Sequence, residues 1–229
     1  MSIGRAGGSS ANMLGFERAI WQQGVRLVAG VDEVGRGALA GPLVAAAVIL
    51  PLDIETMLKM PSFWDDVRDS KTLSPRTRTV LTENIMANAF CFSVAMIPAT
   101  VLDEIGLSAA NRCAMEQAVL GMNVEPDMLL IDAMTLDLGL PQLGIIDGDA
   151  KSLSIAAASI VAKVARDTLM IELDGRFPAY EFARNKGYGV TAHLRALAAV
   201  GSCPYHRMSF GPVRKIERRA ANPRTRHDA

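Results

Sequence analysis

The sequence predicts an α/β fold: a mixed five-stranded sheet flanked by helices, with a helical extension toward the C-terminus. Three features lead there. Five short β-rich or apolar runs are spread along the chain, segments with helical spacing lie between and after them, and aspartates recur where the apolar runs end.

Taken in order, residues 1–25 open with a Gly/Ser-rich stretch and continue into "LGFERAIWQQG", a short helical pattern closed by Gly24, which reads as an N-terminal arm. "VRLVAGVDEVG" and "GPLVAAAVILP" are β-rich runs joined by a glycine-containing connection, an antiparallel pair ended by Pro51. Ser74 before Pro75 is an N-cap and first-turn pair for a helix through "RTRTVLTENIMANA", after which "AFCFSVAMIP" supplies a third strand. A second helix is expected over "SAANRCAMEQAVLGM", from Ser108 to near Gly121. "DMLLIDAM" and "LGIIDGD" are short apolar runs between helical patterns, as buried parallel strands require. A long helix then covers "SLSIAAASIVAKVARDTLMIEL", where the small residues Ala156 through Ser159 and Ala162 allow close packing. "TAHLRALAAVG" adds a short helix, and the tail "RKIERRAANPRTRHDA" carries too little apolar content to pack firmly.

Half of the 229 residues are apolar and 21% are charged, enough for a full core in one domain with appendages. No apolar run reaches the length that spans a bilayer, and "MSIGRAGGSSANM" lacks the apolar region of a signal peptide, so a cytoplasmic protein is expected. Cys91, Cys113 and Cys203 lack the spacing of a zinc site or disulfide framework and read as small core residues. The zero net charge conceals a division. Residues 1–175 carry 13 Lys/Arg against 21 Asp/Glu, and residues 176–229 carry 11 against 3. The basic part suits a polyanionic partner, which the acidic remainder would repel unless cations sit in it.

That points to the acids. Asp32 and Glu33 lie at the end of the first strand, Asp132 ends the fourth, and Asp149 follows the fifth, so four carboxylates can converge on one rim. Side chains alternate along a regular strand, so Asp32 and Glu33 share a site only if extended geometry breaks between or just after them, where Gly35 and Gly37 stand. Clusters of carboxylates without Cys or His suit hard cations, Mg²⁺ or Mn²⁺, and phosphoryl chemistry by two metals. Singly, each aspartate is more often a cap, turn residue or surface charge than a metal ligand, and the shared position at strand ends shifts that balance.

"GVDEVGRGALAGPLVAAAVIL", "DSKTLS", "LLIDAM", "GDAKSLSIAAASIVAKVARD" and "NKGYGVTAH" through "HRMSFGPV" resemble, in order, the motifs of the type 2 ribonucleases H, bacterial ribonuclease HII. The resemblance spans about residues 26–213, the expected catalytic domain, and leaves residues 1–25 as the arm and 214–229 as a basic tail. It implies a ribonuclease H fold that cleaves the RNA strand of RNA–DNA hybrids and nicks duplex DNA 5′ to an embedded ribonucleotide. It implies too that Asp32, Glu33, Asp132 and Asp149 hold the metals. Where the family commonly has "KGD", this chain has Asp147-Gly148-Asp149. Asp149 keeps the motif's place, and Asp147 is either a solvated turn residue or holder of an outer-shell water.

The resemblance also gives Gly35-Arg36-Gly37 the recognition of the ribose 2′-hydroxyl, and Tyr188 a stack on the following nucleotide. Glycine permits backbone approach to a sugar edge, although an ordinary tight turn has the same look. Lys71, Lys163, Lys186 and Arg207 are the cations expected near phosphates, with an i+4 pairing to Asp167 as the competing role for Lys163. His193 and His206 read as structural. A DNA-cutting nuclease of this fold would need no 2′-hydroxyl reader, a type 3 ribonuclease H carries a larger N-terminal domain, and a non-catalytic hybrid-binding module would not need four acids. The expected species is a monomer acting on hybrids and ribonucleotide-containing duplexes, away from membranes.

Overall fold

The computed structural model describes residues 13–54, 63–68 and 70–221. The chain divides into two compact units, the first of residues 1–33, 45–95 and 115–164 and the second of residues 34–44, 96–114 and 165–229. The elements, in order, are α1 (Gly15–Trp21), β1 (Val28–Val34), β2 (Leu43–Ile49), α2 (Pro75–Asn88), β3 (Cys91–Ile97), α3 (Ala99–Ile105), α4 (Leu107–Leu120), β4 (Met128–Asp132), β5 (Gln142–Ile145), α5 (Leu153–Arg176), α6 (Phe182–Asn185), α7 (Thr191–Val200) and α8 (Gly211–Ala221). No helix among the described residues is long and apolar enough to cross a membrane.

The sheet is mixed and five-stranded, ordered β3-β2-β1-β4-β5. β2, "LVAAAVI", is buried at every position, as a strand covered on both faces must be. β1 pairs in parallel with β4, Val28 opposite Met128 and Val31 opposite Ile131, and β4 pairs in parallel with β5, Asp132 opposite Ile145. Both parallel connections bring strand carboxyl ends to one edge, where such sheets hold ligands.

Within the first unit, Ser74 caps α2 by accepting the Thr77 N–H at 3.1 Å, with Pro75 in the first turn, as its sequence requires. Arg78, nearly buried on that helix, donates to the Ser70 and Leu73 carbonyls at 2.8 and 2.7 Å and so fixes the turn that carries Lys71. α1 belongs to the core: Ile20 packs with Val28, Leu130, Ile145 and Ile155, joined by Phe16 and Trp21. Glu17, fully buried, accepts from the Ser152 hydroxyl (2.6 Å), the Ser154 N–H (3.0 Å) and the Ser154 hydroxyl (2.8 Å), capping α5. The arm is therefore a packed helix as far as it is described, and residues 1–12 lie outside the described part.

The second unit has its own core of Leu39, Met170, Leu173, Tyr180, Phe182, Leu197 and Val213. α8 corrects the expectation of a loosely packed segment after residue 213. Val213 is buried and Ile216 packs on the same cluster, one turn apart on a helix whose other face is Arg and Lys. Two apolar residues at i and i+3 suffice to anchor a short amphipathic helix when a core is already there to receive them. Residues 222–229 lie outside the described part. α3 and the single turn α6 are also additions to the elements expected from sequence.

Candidate active site

The parallel register that pairs Val31 with Ile131 puts the next residues, Asp32 and Asp132, side by side at the strand ends. Glu33 joins them: one carboxylate oxygen from each of Asp32, Glu33 and Asp132 lies within 4.8 Å of the others. β1 stays extended through Val34, and the chain breaks direction immediately afterwards, at Gly35 with φ +95°. Asp32 is buried, and its Oδ1 accepts the Glu33 N–H at 2.7 Å. Asp132 Oδ1 accepts the Gly148 N–H, also at 2.7 Å, in the turn after β5.

Asp149 sits in that turn. It is buried, outside the three-acid cluster but close enough to Asp132 to raise its pKa, and its Oδ2 meets Lys71 Nζ at 3.0 Å. Asp147 is exposed and left-handed (φ +54°), a solvated turn position. Burial first, then Glu33 and Asp132, pushes the Asp32 carboxyl well above its ordinary value, against the pull of the Ser159 hydroxyl and the Glu33 N–H. Burial also raises Asp132, as do Asp149 and Asp147, against the Gly148 N–H and Lys71. Carboxylates crowded so that they resist ionisation are favoured by a bound cation, and an all-oxygen donor set fits a hard divalent ion.

In the second unit the loop after β1 is held from beneath by two buried arginines. Arg166 donates to the carbonyls of Pro42 (3.0 Å), Ala40 (3.0 Å) and Lys186 (2.9 Å), and Arg207 to those of Gly41 (3.1 Å) and Arg36 (3.0 Å). Burial lowers both guanidinium pKa values, Arg207 to about 10 with Arg166 contributing. A Cβ at Gly35 would stand 2.3 Å from Arg166 Nε, whereas one at exposed Gly37 would meet nothing within 4 Å among the described residues. Arg36 is exposed. Tyr188 pairs with Ala38 in an antiparallel bridge, and its ring lies 5.4 Å from the Arg166 guanidinium carbon.

The family model for ribonuclease HII matches residues 29–213. The chain belongs to the ribonuclease HII family. Among curated relatives, ribonuclease HII of Ligilactobacillus salivarius is 47% identical over 205 residues, covering 90% of this chain and 77% of that protein. Ribonuclease HII of Lactobacillus johnsonii is 50% identical over 203 residues, 89% of this chain and 78% of that protein. Among solved structures, ribonuclease H2 from Pyrococcus horikoshii superposes with a TM-score of 0.71 at 26% identity, covering 85% of this chain and 99% of that one. As a member of that family the protein is an endoribonuclease, a hydrolase, with the ribonuclease H fold.

Of the cations expected near phosphates, Lys71 lies against Asp149 with its side chain 79% exposed, and Lys163 is half-buried on α5. Lys186 turns back to donate from Nζ to the Ala183 carbonyl. Arg207 is fully buried: its Nε and Nη1 donate to the Gly41 and Arg36 carbonyls, which holds the loop, and its Nη2 meets no hydrogen-bond partner among the described residues. Sequence reasoning missed Ser159 and Arg166. A lone hydroxyl in "AAASIVA", and an arginine on the buried face of a long helix, are signals that a polar partner exists, although neither says where.

Proposed function

We propose that this enzyme hydrolyses the RNA strand of RNA–DNA hybrids and nicks duplex DNA on the 5′ side of an embedded ribonucleotide, leaving 5′-phosphate and 3′-hydroxyl ends. The observation that carries this reading is the convergence of Asp32, Glu33 and Asp132 within 4.8 Å. With Asp149 they would hold Mg²⁺ or Mn²⁺. When bound, two such ions supply water activation and charge stabilisation on either side of the phosphate.

The chain's own residues prepare that chemistry. The Glu33 and Gly148 N–H groups orient the Asp32 and Asp132 carboxylates before substrate arrives. Burial raises the pKa of Asp32 and of Asp132, so a cation bound beside them would favour their charged forms. Lys71, exposed and resting on Asp149, is placed to transfer its attraction to a phosphate.

Gly35-Arg36-Gly37 would present peptide groups to the 2′-hydroxyl, the one group that separates ribose from deoxyribose in a duplex step. Open space within 4 Å of a Cβ at Gly37, among the described residues, supports close approach by a sugar there. Tyr188 would stack beside it. The enzyme is expected to work as a monomer in the cytoplasm, where thiols unpaired with one another, as all three are here, persist.

The test is cleavage-site mapping on duplex DNA carrying a single ribonucleotide. A single nick 5′ to the ribonucleotide, dependent on divalent metal, is the expected result. Cutting at deoxyribonucleotide steps, or none with either metal, refutes the proposal. Tyr188→Ala should lose about one to two decades of rate on this substrate, from a stacking contact of about 1–3 kcal/mol, and Tyr188→Phe less.

A further inference from the structure

We propose that His193 and His206 form a buried, proton-ordered pair that positions Tyr188, and through it sets the preference for a single ribonucleotide over a continuous RNA strand. This rests on the reading of Tyr188 as the residue that registers the ribonucleotide.

The hydrogen bonds around the two rings admit one assignment of protons. The Cys203 N–H donates to His206 Nδ1 at 2.9 Å, so that nitrogen carries no proton. His206 Nε2 lies 3.0 Å from His193 Nε2, and His193 Nδ1 lies 2.9 Å from the Tyr188 carbonyl. A carbonyl only accepts, so His193 holds its proton on Nδ1. Its Nε2 must then accept from His206 Nε2–H. Both rings are neutral, each in one tautomer, and the polarity runs one way from the Cys203 amide to the Tyr188 carbonyl.

The pair is sealed: His193 is 0% and His206 2% exposed. Tyr180 and Phe182 pack edge-on or tilted against both rings. The titratable or charged groups facing it are Tyr180, Cys203 and Glu217, whose Oε1 is already engaged by the Ser202 N–H. Tyr188 is thus held at several points. Its carbonyl takes the His193 bond and the Val190 N–H at 2.8 Å, its N–H donates to the Asn185 carbonyl at 2.9 Å, and its ring faces Arg166. The Ala38 bridge ties it to the loop that follows Gly37. The histidine pair is the part of this grip that a proton can break. A proton added at His206 Nδ1 faces the Cys203 N–H, and one added at His193 Nε2 faces the His206 Nε2–H. Burial lowers both pKa values, His206 to about 4.

Two experiments test the inference. In the first, ¹⁵N-detected histidine spectra of the full chain at pH 7.5 are expected to show His193 as the Nδ1–H and His206 as the Nε2–H tautomer. A charged ring or the opposite tautomer at either position overturns the pair. The second measures kcat/KM on a single-ribonucleotide duplex relative to an all-RNA hybrid, with a melting curve for each variant. His193→Phe should lower that ratio between about three- and tenfold, the weight of one neutral hydrogen bond. His193→Asn, whose amide can still donate from the Nδ1 position, should recover most of it. In the wild type the ratio should hold from pH 8.5 to 6.5 and fall toward pH 4. If Tyr188→Ala lowers the ratio but neither His193 variant does, the positioning inference fails. If Tyr188→Ala leaves the ratio unchanged while the tautomers are as stated, the sensing role of Tyr188 fails instead.

Discussion

Replacing Asp32 by asparagine should stabilise the metal-free protein while abolishing its response to metal. Asp32 lies in a cluster whose oxygens are within 4.8 Å of one another. At that distance and an effective dielectric of about 20, one pair of like charges costs about 3 kcal/mol. Partial protonation caps this cost, since each unit of raised pKa is worth about 1.4 kcal/mol. The net gain for Asp32→Asn is therefore expected to be about 1–3 kcal/mol, or roughly 2–12 °C in melting temperature for a chain of this size. The direction with pH follows from linkage. The Asp32 carboxyl is raised in the fold, so the folded state binds its proton more tightly than the unfolded chain does. Metal-free stability therefore falls as pH rises from the ordinary carboxylate value through the raised one. Asp32→Asn removes that fall. The assay is thermal melting in EDTA at pH 8, repeated with saturating Mg²⁺ and Mn²⁺. A metal-free variant that melts at or below the wild type, or one whose melting temperature rises with metal as much as the wild type's, would refute the reasoning.

Other outcomes follow from the same geometry. Gly35→Ala should melt several degrees lower, because its Cβ would strike Arg166 at a φ of +95°. Gly37→Ala should melt like wild type and yet lose cleavage at a single ribonucleotide, and intact cleavage by Gly37→Ala would remove the sugar from that surface. Asp149→Asn should be nearly inactive in metal-dependent kinetics, whereas Asp147→Asn, altering an exposed turn, should remain active and bind substrate somewhat more tightly at low salt. The reverse ranking would give the metal role to Asp147. Glu17→Ala strips the cap from α5 and should cost about 2–4 kcal/mol in denaturant unfolding, and a loss under 1 kcal/mol would show that the serines find other partners.

The sheet was legible because β2 and β4 are unbroken apolar runs and because acids punctuate the strand ends. Helix starts were legible where a local device existed, as at Ser74-Pro75. Of the four acids expected on one rim three cluster: a parallel register needs only Val31 opposite Ile131 to bring Asp32 beside Asp132, and Glu33 joins them, whereas Asp149 stands outside, against Lys71. What stayed hidden is long-range. Arg166 reaches carbonyls more than 120 residues away in the chain, and His206 finds His193 across 13 residues. Neither has a local pattern to betray it. A cation in a motif suggests a ligand, and that Arg207 is buried with two of its donors on loop carbonyls is visible only once the chain is folded. α8 was overlooked because Val213 and Ile216 are too few to form a helix alone and need Leu197 and Tyr180 already in place.

The cap that Glu17 gives to α5 has a consequence for biosynthesis. Its partner Ser154 is 137 residues further along. At about 5–20 residues per second, a ribosome adds that much chain in roughly 7–27 s. For most of that interval α1 has Phe16, Ile20 and Trp21 without Leu130, Ile145 and Ile155, the core residues that come later in the chain. The first of the described helices thus waits through most of translation for the core that covers it, and its apolar face is expected to be accessible to chaperones meanwhile.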